Sequence, residues 1–472
     1  MRPIALGATA LGLLATDSLV AAAGKVFIGG RSKAVRGDGY LSVPVGTVQR
    51  PVRSKRAAKT FQDKLYNIDA FYATLVDIGE PPQQVAVLVD TGSSELWVNP
   101  DCRTAASQEQ QAQCVKFGRY DPQKSSKSIG PFGHRKLNYG DPSDKSSLTS
   151  ASIDYYADAL SLGGAKISNQ TFGFVTESQG QSQGILGLAP DVQGGYDGNK
   201  PYSLVLSSMA DQGLIASRVY SLDLRHSDSE YGAVIFGGLD KSKFIGALEK
   251  RPIVNLVKGE YRLAVELATV GVTRTKSSSF KVAGQDSNVM LDSGSTLSRL
   301  HAAVAMPIME ALGARDTGSG LFRVPCSTRK SAGSVDFGFG EKKIRVPLRD
   351  FILPGASKTA CYVGVALTTG QQILGDSVLR AGYFVFDWDN QEVHIAQAAN
   401  CGDEDIVSVS SGKGAVPSAT GNCKDGDAVF TGRSQAPAAT DTGDANNAGV
   451  GAAAASGLLM IVGSLAMVHN VL

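Results

Sequence analysis

The chain has 472 residues, 43% hydrophobic and 19% charged, with 46 basic against 44 acidic side chains for a net charge of +2. The basic excess falls in one short leader segment, so the body offers no footprint for nucleic acid. The cysteines are widely spaced and no histidine pair has the His-x-x-x-His spacing, so neither metal nor cofactor is expected.

In chain order, residues 1–23 read as a secretory signal: Arg2 supplies the positive start, Ile4 to Val20 is mostly apolar, and Ala21-Ala22-Ala23 is a small-residue cleavage region. Residues 24–56 carry eight basic residues against one acid, Asp38, a net +7 that leaves −5 on the remainder. The segment ends in Lys55-Arg56 and reads as a propeptide cut after Arg56 by a dibasic processing protease. Opposite charges would draw it to the acidic body, with Lys33 and Arg36 as the first basic side chains to look for inside a cleft.

Residues 57–399 leave about 340 residues for the body, more than one simple core holds and suited to two lobes, 57–245 and 246–399. Short apolar runs punctuated by turn residues predict mostly β structure. Tyr72 to Ile78, Gly79-Glu80-Pro81-Pro82 and Val85 to Val89 read as a hairpin leading into Asp90. Asp90-Thr91-Gly92-Ser93 then has a counterpart in Asp292-Ser293-Gly294-Ser295, which follows Val289-Met290-Leu291. Each is an acid on a tight turn at the end of a buried strand, with Gly92 and Gly294 leaving room for close backbone approach. Facing each other, two such turns bring two carboxylates into one site, where like charges share a proton at acidic pH. The ionised member can deprotonate a water while the protonated one polarises a carbonyl, which is amide hydrolysis without metal or covalent intermediate. Asp316-Thr317-Gly318-Ser319 and Asp441-Thr442-Gly443 repeat the string without an apolar strand before it and read as solvated loop acids.

Gly180-Gln181-Ser182-Gln183-Gly184 fits the serine-hydrolase pattern G-x-S-x-G, but its approach is polar and its exit holds Gly187 and Pro190, so Ser182 reads as a loop residue. Asn169-Gln170-Thr171 is an N-glycosylation sequon. The clearest helix runs from His301 to Leu312, with Val304, Ile308 and Leu312 at helical spacing. Residues 400–447, rich in Ser, Thr, Gly, Ala and Pro, read as a flexible, O-glycosylated stalk. Residues 448–472 are small, then apolar, with no Lys or Arg after Leu458. With Asn447-Ala448-Gly449 upstream they read as a GPI-attachment signal, with lipid joined at Asn447 or its neighbour Asn446. That places the protein at the outer face of the plasma membrane or in the wall.

Several motifs in order resemble the pepsin-like aspartic proteases, and among them the fungal, surface-anchored yapsin or opsin type. They are Asp90 through Trp97 (DTGSSELW), Lys136 to Asp141, Gly184-Ile185-Leu186-Gly187-Leu188, Ile373-Leu374-Gly375-Asp376, and Phe384 to Asp387 with Asn390. The resemblance runs from about Phe71 to Ala396 and implies an all-β, bilobal fold with the active-site cleft between the lobes. It implies an aspartic endopeptidase acting on protein or peptide substrates as a monomer. Asp90 and Asp292 would be catalytic, Ser93 and Ser295 would bond the outer carboxylate oxygens, and Thr91 and Ser293 would brace the turns. Tyr139, Gly140 and Asp141 would belong to a flap over the cleft, with Trp97 touching the Tyr139 hydroxyl. Pro142-Ser143 departs from the family's flap tip, where a glycine is common. Cleavage beside basic residues or between bulky apolar ones are both open. Six cysteines in a secreted chain imply three disulfides. The resemblance supports Cys102–Cys114 and Cys326–Cys361, and Cys401–Cys423 follows by elimination, tying the stalk base to itself. A second reading is a catalytically silent binding or wall protein on this scaffold. Both acids and both glycines are intact, which favours the enzyme.

Overall fold

The structure is a computed structural model that describes residues 34–49, 70–190, 200–225, 231–254, 262–274, 276–318, 320–355 and 360–424. Strand follows strand, and a 15-stranded sheet runs through both halves of the chain. Strands Ala70–Ile78 and Gln83–Asp90 form the expected hairpin, registered from Ile78↔Gln83 to Ala73↔Leu88. Gly79 takes φ 93° in its turn, a left-handed angle that favours glycine. Alternation then sorts this hairpin between two cores. Tyr72, Val76, Val85, Val87 and Val89 join the main core, whereas Phe71, Ala73, Ala86 and Leu88 pack with Trp97, Leu137, Tyr139 and Ile153 under the flap.

In the second lobe, strand Asn288–Leu291 lies between Ala264–Glu266 and Ile373–Leu374 in a five-stranded sheet. Two four-stranded sheets complete the lobe. The helix Ala302–Leu312 buries Val304, Ile308 and Leu312 and ends at Gly313, whose φ of 65° closes it. The lobes share the large sheet: Phe244–Pro252, Glu392–Ala398 and Gly382–Asp387 continue into Val219–Asp223 and Tyr231–Phe236.

Two segments differ from the sequence expectation. Within the expected propeptide, Tyr40–Gln49 is a central strand between Tyr231–Phe236 and Ala70–Ile78. Its alternating Leu41, Val43 and Val45 are buried, a period-2 pattern that the charge count over 24–56 concealed. Arg36 lies exposed on the short strand Val35–Gly37 and does not enter a cleft, while Lys33 lies outside the described residues. The second correction concerns the expected stalk. Residues 401–424 fold onto the body: Ile406–Ser408 pairs with Gly238–Asp240, and Thr420–Asn422 pairs with Phe244–Pro252. Val409, Ala415, Val416 and Ala419 are buried against Phe244 and Tyr383. A few well-spaced apolar residues suffice there because the sheet edge already offers a partner surface. The Cys401–Cys423 disulfide closes this appendage, and Cys102–Cys114 and Cys326–Cys361 form as well.

Cleavage after Arg56 and the GPI-attachment segment with Asn447 fall outside the described residues, as does Asp441. Among the described residues no helix is long and apolar enough to cross a membrane. Asn169 is exposed with φ 51° on the strand Ala165–Gln179, and Asp316 is exposed. Ser182 is buried and donates to Gln183 Oε1 at 2.6 Å.

Candidate active site

Asp90 ends one central strand and Asp292 directly follows another, so rigid strands set the position of each acid. A second segment passes parallel behind each. Val87 to Asp90 pairs with Gly184 to Gly187, and Met290-Leu291 pairs with Ile373-Leu374. Leu188 N–H donates to the Asp90 carbonyl at 2.7 Å and Asp292 N–H to the Leu374 carbonyl at 3.0 Å. Both carboxylates are fully buried and hydrogen-bonded to each other.

The two turns are near copies. Gly92 N–H donates to Asp90 Oδ1 and Gly294 N–H to Asp292 Oδ1, each at 2.8 Å. Ser93 donates its hydroxyl to Asp90 Oδ2, and Ser295 donates to Asp292 Oδ2 at 2.7 Å. The glycines are needed for room. A Cβ at Gly92 would lie 2.5 Å from Asp292 Oδ1, and one at Gly294 would lie 2.5 Å from Asp90 Oδ1. Four buried hydrogen bonds lock the turns together. Thr91 N–H donates to Ser293 Oγ at 3.1 Å and Ser293 N–H to Thr91 Oγ1 at 2.9 Å. The Thr91 hydroxyl reaches the Leu291 carbonyl at 2.8 Å and the Ser293 hydroxyl the Val89 carbonyl at 2.9 Å.

Burial pushes both carboxyls above the ordinary value, because removing water disfavours the charged form. Asp292 stands well above it, since the charge of Asp90 adds to burial. Asp90 is raised less firmly, with the Ser93 hydroxyl and Gly92 N–H bonding its charged form. Two carboxyls buried this close cannot both carry a charge, so the pair shares a single proton.

The segment expected to form the flap is the hairpin of His134–Tyr139 and Thr149–Leu162, with Tyr139 opposite Thr149. Trp97 Nε1 donates to the Tyr139 hydroxyl at 2.6 Å, with ring centroids 6.1 Å apart. Burial holds the Tyr139 phenol well above its ordinary pKa, so it keeps its proton. Gly140 has φ 103°, and at the tip Ser143 donates its N–H and hydroxyl to Asp141 Oδ1 at 2.8 and 2.7 Å. This turn absorbs Pro142, whose missing N–H is not required there.

Sequence reasoning missed what meets that tip from the other lobe. Arg299, on strand Ser298–Leu300, places Nη1 3.2 Å from Asp141 Oδ2 and Nη2 3.3 Å from Asp144 Oδ2. Thr368 Oγ1 lies 3.3 Å from the Ser143 hydroxyl. The available signal was an arginine seven residues after Asp292 in a buried strand, a place where charge needs a partner. Two further buried acids flank the site. Glu95 accepts from Arg135 Nη1 at 2.7 Å, from the Tyr155 hydroxyl at 2.9 Å and from the Tyr202 hydroxyl. Asp376 follows the second backing strand, and burial pushes its carboxyl up to about 8 although Arg380 lies 3.6 Å away.

Comparison with known proteins agrees with this geometry. The family model described as eukaryotic aspartyl protease matches residues 71–398. The chain is 32% identical to candidapepsin of Candida tropicalis over 382 residues, 79% of this chain and 91% of that protein. It is 31% identical to the probable aspartic-type endopeptidase opsB of Aspergillus oryzae, covering 80% and 78% of the two chains. To secreted aspartic protease 3 of Candida albicans it is 34% identical, covering 75% and 85%. The crystal structure of the aspartic proteinase from Irpex lacteus shares the fold, with a TM-score of 0.56 and 21% identity over 76% of this chain and 98% of that one. Sequence and fold thus agree that the chain belongs to the eukaryotic aspartyl protease family, as an aspartic-type endopeptidase of bilobal, mainly β architecture.

Proposed function

We propose that this protein is a secreted, surface-anchored endopeptidase that cleaves protein substrates at acidic pH through a water activated by Asp90 and Asp292. The observation that carries this reading is the buried, mutually hydrogen-bonded carboxyl pair held between the two braced turns. Asp90 takes a proton from the attacking water while Asp292 gives its proton to the scissile carbonyl oxygen. The tetrahedral diol then collapses as a proton passes to the leaving nitrogen, and the pair recovers its single proton. Ser93 and Ser295 hold the outer oxygens, Thr91 and Ser293 fix the spacing, and Tyr139 with Asp141 closes over the substrate and excludes water.

The signal at 1–23, the cut after Arg56 and the lipid at Asn447 complete the reading, with the stalk shortened to 425–447. The name of the secreted Candida albicans relative supports an extracellular setting. Because Tyr40–Gln49 is a central strand, a cut after Arg56 leaves that strand held by the backbone hydrogen bonds of its two neighbours. Asn169, exposed on its strand, is the glycan acceptor.

Asp292→Asn tests the assignment. We expect peptide cleavage near pH 4 to fall at least about 1,000-fold with the fold retained, since Asp90 alone cannot serve as base and acid at once. Unchanged cleavage would remove the two aspartates from the mechanism. A wild type with no cleavage of an unbiased peptide library would favour the silent binding protein.

A further inference from the structure

The strands Gly382–Asp387 and Glu392–Ala398 form a hairpin whose turn, residues 388–391, lies at one end of the large sheet's pairing. Asp387 is opposite Glu392, and His394 is two residues further along Glu392's own strand. Alternation puts all three side chains on one face. One ligand atom from each lies within 4.8 Å of the other two. His394 is 7% exposed, and its Nε2 is buried with no hydrogen-bond partner, 3.7 Å from Glu392 Oε2. That distance is too long for a hydrogen bond. A buried imidazole nitrogen facing two carboxylates without bonding to either is a donor set awaiting an acceptor of lone pairs.

We propose that Asp387, Glu392 and His394 bind a borderline divalent cation of the zinc type, with water completing the coordination. Two carboxylate oxygens and one imidazole nitrogen match the ligand preference of Zn²⁺ rather than that of calcium or magnesium, which favour oxygen alone. Ligand atoms around zinc stand roughly 3.3–3.6 Å apart in a tetrahedral site. Rotation of the partly exposed Glu392 side chain is enough to close the remaining gap. The Asp387 carboxylate is already aimed: Asn390 donates its backbone N–H at 3.0 Å and its amide at 2.8 Å to the two oxygens. Such support fixes a ligand's orientation before the metal arrives. Lys250, opposite His394 on strand Phe244–Pro252, holds Glu392 Oε1 at 3.0 Å. Its side chain is 59% exposed and can swing into solvent, so it is a competitor for Glu392 rather than a permanent occupant.

The site pins the two strands of one hairpin together at its turn, and Gly382–Asp387 is the strand that pairs with Val219–Asp223 across the large sheet. The cation would therefore tighten the shared sheet and take no part in hydrolysis. The sequence alone gives little warning, because Asp387-x₄-Glu392-x-His394 acquires meaning only through the hairpin register.

The test uses the full secreted chain with a statine-type mimic bound, so that Asp90 and Asp292 are covered. After chelation, Zn²⁺ should raise the melting temperature by several degrees, and Co²⁺ should bind one per chain with the intense visible band of a low-coordinate site. Glu392→Gln and His394→Gln should each weaken binding at least tenfold, and Lys250→Gln should tighten it. Cleavage by Glu392→Gln, without the mimic, should match wild type. Absence of a Zn²⁺-dependent melting shift, or equal binding by Glu392→Gln, overturns the proposal. Should His394→Gln fail to fold, the partly exposed Glu392 and the exposed Lys250 still decide it.

Discussion

Replacing Ser293 by alanine removes one hydroxyl from the brace between the two aspartate turns and leaves the other intact. The lost group accepts from Thr91 N–H at 3.1 Å and donates to the Val89 carbonyl at 2.9 Å. Both orphaned groups sit where Thr91 and Ser293 are essentially unexposed, so water cannot take over without opening the core. Each buried group left unpaired costs about 1–3 kcal/mol, so the variant should lose about 2–6 kcal/mol of stability. The kinetic effect comes from the same place. Thr91 directly follows Asp90 and Ser293 directly follows Asp292, so slack in the brace becomes slack between the carboxylates. Displacement by a fraction of an ångström should reduce kcat about tenfold or more, with little change in KM. Ser293→Thr keeps both hydrogen bonds and adds a β-branched methyl, so it should match or slightly exceed the wild type. The assay is steady-state peptide cleavage at about pH 4, where the paired carboxyls would share a proton, together with urea denaturation of each variant. A Ser293→Ala protein within about 0.5 kcal/mol and twofold of wild type would show that the brace does not hold the site.

Arg299→Met keeps the buried stem but deletes the cation that meets Asp141 and Asp144; KM should rise about tenfold with kcat less affected, and adding Asp141→Asn should restore part of the loss. Melting temperature should fall as pH rises from about 4 to about 8. Asp376 is raised to about 8 from 3.8, so the folded state keeps a proton that the unfolded state has lost, and the stability present below 3.8 is lost through that window. Asp376→Asn should flatten the profile measured by calorimetry across the range. Treatment of intact cells with a phosphatidylinositol-specific phospholipase should release the enzyme into the medium; retention of the 448–472 peptide in the mature protein would contradict the anchor.

The sequence by itself determined the two acid turns, because Val85–Val89 and Val289–Leu291 announce buried strands that end at Asp90 and Asp292. It also determined the hairpin before Asp90 and the helix after Leu300, whose periods are local properties of the chain. Family likeness carried the flap and two of the disulfides. Other features were settled only when distant segments met. Gly92 must be glycine because the carboxylate of Asp292, 200 positions away, occupies the space of its side chain. Arg299 meets Asp141 only because the lobes close on each other across the cleft. Tyr40–Gln49 became a central strand because two neighbours lacked a partner, although composition had marked it as a basic arm. Asp387, Glu392 and His394 share a face through register alone. Periodicity and turn chemistry act over a few residues and can be read along the chain. Packing and cross-strand register act between residues that the sequence separates, and only the folded chain supplies their partners.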